Sequence, residues 1–388
     1  MSTRTPTITT TTTSSSPSPS SEPPASTIPT PPPPTPTKTP PTSPLTAITT
    51  AITTNTIKNI LILVGAGLST TSGIPDFRTP KSGLYALLTP LNLPYPEALF
   101  HISYFRHTPE PFYAIARARH PRNLKPGVGH AFLVLLEKRG VLGGVLSQNI
   151  DGLECDAGVS KHKVLNAHGD WSGQGCIKCK ARFGDEGMRA AIERGEVPRC
   201  ERELELELPD GNMGLGRCGG IIKPDIVMFG ESLPKEFDEW VEDLVPRADL
   251  LIVVGTSLKV YPVAGIPKSV SPSTPRILIN NELVGDFGTR DTDVCLIGDV
   301  EDGFRKLAKE LGWEEELDQI WKEAVERKEK DVEAQGWKDE GPSLEQCIAK
   351  AAEKMKARMG VSQGHRDMLE GHLGEKMAGI LGKMSVRE

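Results

Sequence analysis

The chain has 388 residues, a formal net charge of −6, 37 % hydrophobic residues and seven cysteines. Charge of both signs is spread along it, which gives no case for the basic patch of a dedicated nucleic-acid binder. No window approaches the roughly 18 consecutive apolar residues of a membrane span. An odd cysteine count with no secretory leader favours metal ligation or buried thiols over disulfide staples, so the expectation is a globular protein inside the cell.

From Met1 to Thr50 the sequence is almost all Ser, Thr and Pro, with Pro31-Pro32-Pro33-Pro34 at its centre and only Arg4, Glu22 and Lys38 charged. Such a segment lacks the apolar surface to offset the entropy of ordering, so disorder is expected over residues 1–50. A mitochondrial transit peptide is the alternative; the segment is Ser-rich and acid-poor, but lacks several arginines and an amphipathic pattern.

The first folded element is expected at Ile57 to Val64, a short apolar run ending in glycines. Similar runs follow at Val141–Ser147, Leu250–Gly255 and Arg276–Asn280. Runs of this length without alternation read as parallel strands buried on both faces. Helical patterns lie between them, at Gly129–Lys138 and Phe237–Leu244. Strands alternating with helices predict an α/β fold around a doubly wound parallel sheet, with ligands beyond the carboxyl ends of its strands. The Gly-rich segments after Val64, Leu146 and Val254 fall at those ends.

After the first strand stands Gly65-Ala66-Gly67-Leu68-Ser69. Glycines there let the backbone turn sharply and approach a pyrophosphate, while the following helical turn offers N–H groups to the anion. Alone this is equally a plain strand-to-helix turn, since the third glycine of the dinucleotide fingerprint is absent. The continuation, Thr70-Thr71-Ser72-Gly73-Ile74-Pro75-Asp76-Phe77-Arg78-Thr79-Pro80 and then Gly83-Leu84-Tyr85, is not what a bland loop needs.

Between His168 and Pro224 the pattern changes to four cysteines, several glycines and no long apolar run, which predicts a small inserted module. Cys176-x2-Cys179 is a metal-binding hook, and Cys200 and Cys218 can complete a closed four-thiolate zinc site. Their 18-residue separation implies a loop, acidic and Gly-rich, inserted between the third and fourth ligands. Loop length costs little entropically; the alternative is four reduced, buried thiols. Cys155, Cys295 and Cys347 do not fit the spacing and read as small apolar residues. From Glu314 the chain is charged and helix-prone, predicting a closing helix and then a partly helical tail, with apolar Met368, Leu369, Leu373, Met377, Ile380 and Leu381 at helical spacing. A helix with such a face needs cover, from the tail itself, a second chain or the catalytic domain, with a solvated helix as the plain alternative.

Taken in order, these segments resemble the sirtuin family, and most closely its fungal and animal branch. The resemblance rests on the Gly65–Ser69 and Gly73–Arg78 segments, then Ser147-Gln148-Asn149-Ile150-Asp151-Gly152-Leu153, Ala167-His168-Gly169, Lys223-Pro224-Asp225-Ile226-Val227-Met228-Phe229-Gly230-Glu231, Gly255-Thr256-Ser257-Leu258, Val260-Tyr261-Pro262 and Ile279-Asn280. It covers residues 55 to 320. Thr71-Ser72 stands where Ser-Ala is usual, and the second cysteine pair is normally tight.

The resemblance implies a Rossmann-like NAD domain over 55–167 and 225–315, with a zinc module at about 168–224, a helical module, a catalytic domain over 51–330 and a tail over 331–388. It implies an NAD-dependent protein-lysine deacetylase, an acyltransferase to ADP-ribose that releases nicotinamide. His168 would be the general base, with Asn149 and Asp151 beside it in catalysis. NAD, a co-substrate, would contact Gly65, Ala66, Gly67, Ser69, Ile74, Asp76, Phe77, Arg78, Tyr85, Gln148, Asn149, Ile150, Asp151, Gly255, Thr256, Ser257, Asn280, Glu282 and Val300. One structural Zn²⁺ would sit on Cys176, Cys179, Cys200 and Cys218. Acyl-lysine would bind along Val227, Phe229, Gly230, Glu231, Val260 and Tyr261, adding a strand to exposed backbone. Partners would be acetylated protein lysines, on histones (hence chromatin silencing) or other proteins, with no direct nucleic acid and no membrane. The location would be cytoplasmic or nuclear, with mitochondrial as the alternative. Two rivals stand beside this reading: a catalytically silent NAD or acyl-lysine binder, which leaves His168, Asn149 and Asp151 without a purpose, and a dehydrogenase, which has no use for the cysteine hooks.

Overall fold

The computed structural model describes residues 43–74, 83–118, 124–207, 213–334 and 342–359. The Ser/Thr/Pro segment up to residue 42 and the apolar positions beyond Met359 lie outside the described residues, as do Asp76, Phe77 and Arg78. The first helix, α1 (Pro44–Thr53), occupies the last part of the segment expected to be disordered. Ser43 caps it by accepting the Thr46 amide, and Pro44 takes the first-turn position where a missing N–H costs nothing. Ile48 and Ile52 bury the inner face among core side chains. The folded body therefore starts before residue 50.

The central sheet is made of β1 (Ile60–Val64), β2 (Leu142–Ser147), β3 (Val164–Asn166), β8 (Leu250–Val254), β9 (Arg276–Asn280) and β10 (Asp293–Ile297). Its strand order is β10-β9-β8-β1-β2-β3, and every neighbouring pair is parallel. Starting from β1 the chain builds outward through β2 and β3. It then returns to the other side of β1 for β8, β9 and β10. This reversal puts a topological switch point between β1 and β8, where a doubly wound sheet opens a crevice for a dinucleotide. All five residues of each of β1, β8 and β9 are buried, as two-sided cover demands.

Between β1 and β2 lie α2 (Leu84–Leu87), α3 (Ile102–His107), α4 (Glu110–Ala118) and α5 (Val128–Lys138). Helix α5 covers one face of the sheet, and α6 (Leu153–Ala157) follows β2. The inserted module, after β3, holds β4 (Gly169–Cys176), α7 (Asp185–Arg194), β5 (Glu203–Glu207), β6 (Met213–Arg217) and β7 (Ile222–Ile226). β4 and β7 pair antiparallel, and β5 and β6 form a separate antiparallel hairpin. The stretch between the third and fourth cysteines is thus a β-ribbon, where a loop was expected.

Helices α8 (Glu236–Leu244), α9 (Ile266–Ser269) and α10 (Val300–Leu311) complete the large layer. Helix α11 (Glu314–Ala334) runs through the expected boundary at 330 and buries Leu317, Ile320 and Ala324 against the large core. Helix α12 (Leu344–Met359) buries Leu344, Ile348, Ala351, Ala352 and Met355 in a second core shared with α3, α4, α7 and the cysteine cluster. At the far edge Arg276 is fully buried and bonds both carboxylate oxygens of Asp293, plus Asp286, which ties β9 to β10. Among the described residues no helix is long and apolar enough to cross a membrane.

Candidate active site and metal centre

The site forms where two glycine turns meet at the switch point. Gly65 and Gly67 follow β1, and Gly255 follows β8 at φ +56. The Gly67 amide donates to the Gly255 carbonyl at 2.8 Å, and a Cβ on Gly67 would lie 2.6 Å from the Gly255 Cα. Only glycine lets the two backbones touch this way. Gln148, just past β2, locks the pair: its side-chain amide reaches the Val64 carbonyl at 3.2 Å and Thr256 Oγ1 at 3.0 Å.

Ser69, at the end of the short 3-10 turn Ala66–Ser69, is the hub of a buried polar network. Its hydroxyl donates to Asp151 Oδ2 at 2.8 Å and accepts from Asn149 Nδ2 at 3.2 Å. His130 Nε2 lies at 3.4 Å on the same oxygen. His130 Nδ1 accepts the Gly127 amide at 3.1 Å, so its proton sits on Nε2 and points at Ser69. Full burial holds that imidazole neutral, its pKa pushed down to about 3. Asp151 also accepts the Leu153 amide at 2.9 Å. Burial raises the Asp151 pKa, opposed by these hydrogen bonds.

His168 hangs from the same turn. Its Nδ1 lies 2.8 Å from the Gln148 carbonyl, and a carbonyl can only accept. The ring proton is therefore on Nδ1, and Nε2 keeps a free lone pair, the tautomer a base requires. Burial lowers its pKa from 6.5, partly offset by that hydrogen bond. The His168 carbonyl accepts the Val227 amide at 2.6 Å, which joins the base to the segment after β7.

On that segment the Phe229 amide and carbonyl are already paired with Phe100 and Ile102, while the Phe229 ring is exposed. The Val227 amide is likewise taken, by the His168 carbonyl. The Glu231 carboxylate is also committed, accepting the Met228 amide at 2.9 Å and pairing with Lys223 at 3.1 Å. Val260 and Tyr261 are half-buried and exposed respectively.

The other residues expected at the cofactor are spread along the same strand ends. Ala66, Ile74, Ser257, Ile150 and Tyr85 are half-buried, and Thr256 and Asn280 are buried. The Asn280 side-chain amide donates to the Glu282 carbonyl at 2.8 Å, and Glu282 itself is exposed. Val300 packs its side chain into the core beneath α10, so what it can offer a ligand is backbone at that helix N-terminus. Sequence reasoning missed His130, Ser147 and Glu154. His130 carried no signal beyond being a histidine in an apolar helix. Glu154 shares its turn with Asp156, and only its burial in the fold sets it apart.

The four cysteines converge as their spacing implied. All four Sγ atoms lie within 4.8 Å of one another. Cys176 and Cys218 are 3.6 Å apart, as are Cys179 and Cys200. A tetrahedral Zn²⁺ with bonds of about 2.3 Å needs S···S separations of about 3.8 Å. Amides of Lys178 and Cys179 point at Cys176 Sγ, at 3.4 and 3.5 Å. The cluster therefore fits one structural zinc. Four thiolates leave no open position, so the metal would shape the module and activate no water.

A parallel sheet with glycine turns at its switch point, a buried Ser-Asn-Asp-His network and a four-cysteine module together define an NAD-site architecture with a zinc knuckle. Residues 65–262 match the model of the Sir2 family. The chain is 59 % identical over 342 residues, 87 % of its length, to the NAD-dependent protein deacetylase hst2-2 of Emericella nidulans, covering 93 % of that protein. It is 41 % identical over 270 residues to the NAD-dependent protein deacetylase hst2 of Schizosaccharomyces pombe, covering 70 % of this chain and 77 % of that one. Identity to the NAD-dependent protein deacetylase sirtuin-2 of Danio rerio is 41 % over 284 residues, with 68 % and 71 % covered. The chain belongs to the Sir2 family.

Proposed function

We propose that this protein is an NAD-dependent protein-lysine deacetylase, passing the acyl group of a modified lysine to ADP-ribose with release of nicotinamide. The observation that carries the reading is the His168 tautomer: Nδ1–H is fixed by the Gln148 carbonyl, which leaves Nε2 free beside the Ser69–Asn149–Asp151 network. With no side chains in the way, the glycine turns at Gly65–Gly67 and Gly255 let the dinucleotide phosphates approach the backbone closely. Asn149 and Asp151, fixed through Ser69, orient the ribose and the carboxamide end. NAD supplies an electrophilic ribose carbon on which the acyl oxygen displaces nicotinamide. His168 Nε2 would accept the proton of a ribose hydroxyl as the acyl group passes to that oxygen and, with water, the lysine amine is released. Val227, Gly230, Val260 and Tyr261 hold the lysine-bearing peptide, and Cys176, Cys179, Cys200 and Cys218 hold the zinc.

The reading carries acetylated lysines of histones or other proteins as substrates, and a cytoplasmic or nuclear location. Incubation with NAD and an acetylated peptide should release free nicotinamide and form no NADH. His168→Ala should lose roughly 10²–10⁴-fold in turnover, the usual worth of a positioned base, while still binding NAD. Formation of NADH, or near-normal turnover by that variant, sinks the reading.

A further inference from the structure

Glu154 is a carboxyl group with zero exposure in the first turn of α6, and none of the chemistry above uses it. Its Oε1 accepts the Ser147 hydroxyl at 2.6 Å. The Ser147 oxygen in turn accepts the Asn149 amide at 3.1 Å. Asn149 therefore hangs by its backbone from Ser147, and by its side chain from Ser69. Two residues later Asp151 is pinned by the Ser69 hydroxyl and the Leu153 amide. The turn between β2 and α6 is thus held at both ends by buried carboxyl groups, one of which, Asp151, faces the site.

We propose that Glu154 is a positioning residue for NAD binding: through the Ser147 hydroxyl it fixes the backbone of the turn that presents Asn149 and Asp151. The proposal rests on the assignment of Asn149 and Asp151 to the NAD site.

The charged and titratable groups around Glu154 decide its state. Asp151 and Asp156 belong to its own segment. Helix α11 brings Lys328 and Arg327; the Lys328 ammonium is bound to Asp156, and Arg327 donates to the Ala157 carbonyl. Helix α5 brings His130, which is neutral. Among the described residues no cation pairs with Glu154, and its Oε2 meets no partner. Burial first, and the Asp151 charge second, push the Glu154 pKa up to about 8. Near neutral pH it is an uncharged acceptor. Above that value it places a second negative charge next to Asp151 in a dry pocket and works against the geometry it otherwise holds.

The experiment is steady-state kinetics of the full chain against NAD, with acetyl-peptide saturating, from about pH 6 to about pH 10, with melting temperatures in parallel. Glu154→Ala and Ser147→Ala should each raise the KM for NAD roughly tenfold, the worth of one lost buried hydrogen bond. The double variant should be no worse than either single, because both break one chain of contacts. Glu154→Gln keeps an acceptor for Ser147 but cannot ionise. It should rescue the KM at neutral pH and abolish the alkaline fall in kcat/KM expected of the wild type near pH 8. An alkaline fall that persists in Glu154→Gln overturns the proposal. So does wild-type KM for NAD in Ser147→Ala and Glu154→Ala, with only the melting temperature lowered. If Glu154→Ala does not fold, the Ser147→Ala and Glu154→Gln arms decide alone. Asp151→Asn separates the levels. If it too leaves the KM for NAD unchanged, the site assignment falls and takes this inference with it. If it raises the KM while the Glu154 and Ser147 variants do not, only the role of Glu154 falls.

Discussion

His168 shows how one hydrogen bond sets a side chain's chemistry. Donation from Nδ1 to the Gln148 carbonyl fixes the tautomer, and burial lowers the pKa from 6.5. The neutral base is the working form, and a lowered pKa extends that form toward acid. We therefore expect kcat/KM for acetyl-peptide to stay level as pH falls from neutral to about 6.5, the unperturbed imidazole value, and to decline only below it. An acid limb centred above that value would mean that the titrating base is another group or that Nε2 is hydrogen-bonded in the complex. His130 shares the network yet plays a different part. With Nδ1 occupied by the Gly127 amide and its pKa near 3, it stays neutral throughout and serves as a donor to Ser69. The motif residues of this network were legible in the sequence. The network was not, because Ser69, His130 and Asp151 come from three separate segments that only the parallel sheet brings together.

The elements divide by how much of their signal lies within themselves. The buried strands β1, β8 and β9 announced themselves, since cover on both faces selects continuous apolar runs. β3, three residues long, carries no such run; β10, at the sheet edge, carries the short run Val294-Cys295-Leu296-Ile297, which was not read as a strand. Helix α1 was hidden by the low-complexity threonines around it, although Ser43-Pro44 is an N-terminal signal and Ile48 and Ile52 share one face. The β5–β6 ribbon was hidden in another way. Glu203-Leu204-Glu205-Leu206-Glu207 alternates with period two, as a half-buried strand does, but the glycines of β6 drew the reading toward a loop. The ribbon stands between two zinc ligands whose local backbone is knitted without it: the Cys200 amide donates to the Gly220 carbonyl and the Gly219 amide to the Cys200 carbonyl. Excising residues 201–215 joins Cys200 to Gly216-Arg217-Cys218, a tight hook. It sacrifices the Cys218-to-Arg202 backbone bond and the partial packing of Leu204. We expect about one zinc per chain by metal analysis and deacetylation within roughly threefold of wild type, since the Arg202 bonds to Cys200 and Cys218 are lost while the hook itself is kept. Loss of the metal would show that the ribbon, rather than the hook, sets the cysteine geometry.

At the scale of the whole molecule, three cores share the work. One lies under α5, α10 and α11 against one face of the sheet, one under α8 and α9 against the other, and one ties the helical module, the zinc knuckle and α12 together. Helix α12 precedes the tail positions 368–381 and has its own apolar face covered. It lies on α4 and the turn Thr89–Leu91, with Leu344, Ile348 and Met355 buried against the core that holds Leu88, Leu91 and Phe112. Its main contacts are with α4 and that turn, so its removal should act on stability before it acts on substrate binding. A chain ending after Ala334 keeps α11, including the Arg327 and Lys328 contacts to α6, and loses α12. Burial of a large apolar side chain stabilises by about 1.5–3 kcal/mol, so removing three and uncovering their partners costs several kcal/mol. Ordering the helix offsets part of this. For a domain of this size each kcal/mol shifts the melting point by about 2–4 °C. The truncated chain should therefore melt roughly 5–10 °C lower, with zinc retained and the KM for acetyl-peptide within about twofold. An unchanged melting temperature would mean that α12 is only loosely seated. A KM that falls well below that of the full chain, with the melting point unmoved, would instead place part of the region after Ala334 in the substrate groove, where it competes with the acyl-lysine peptide.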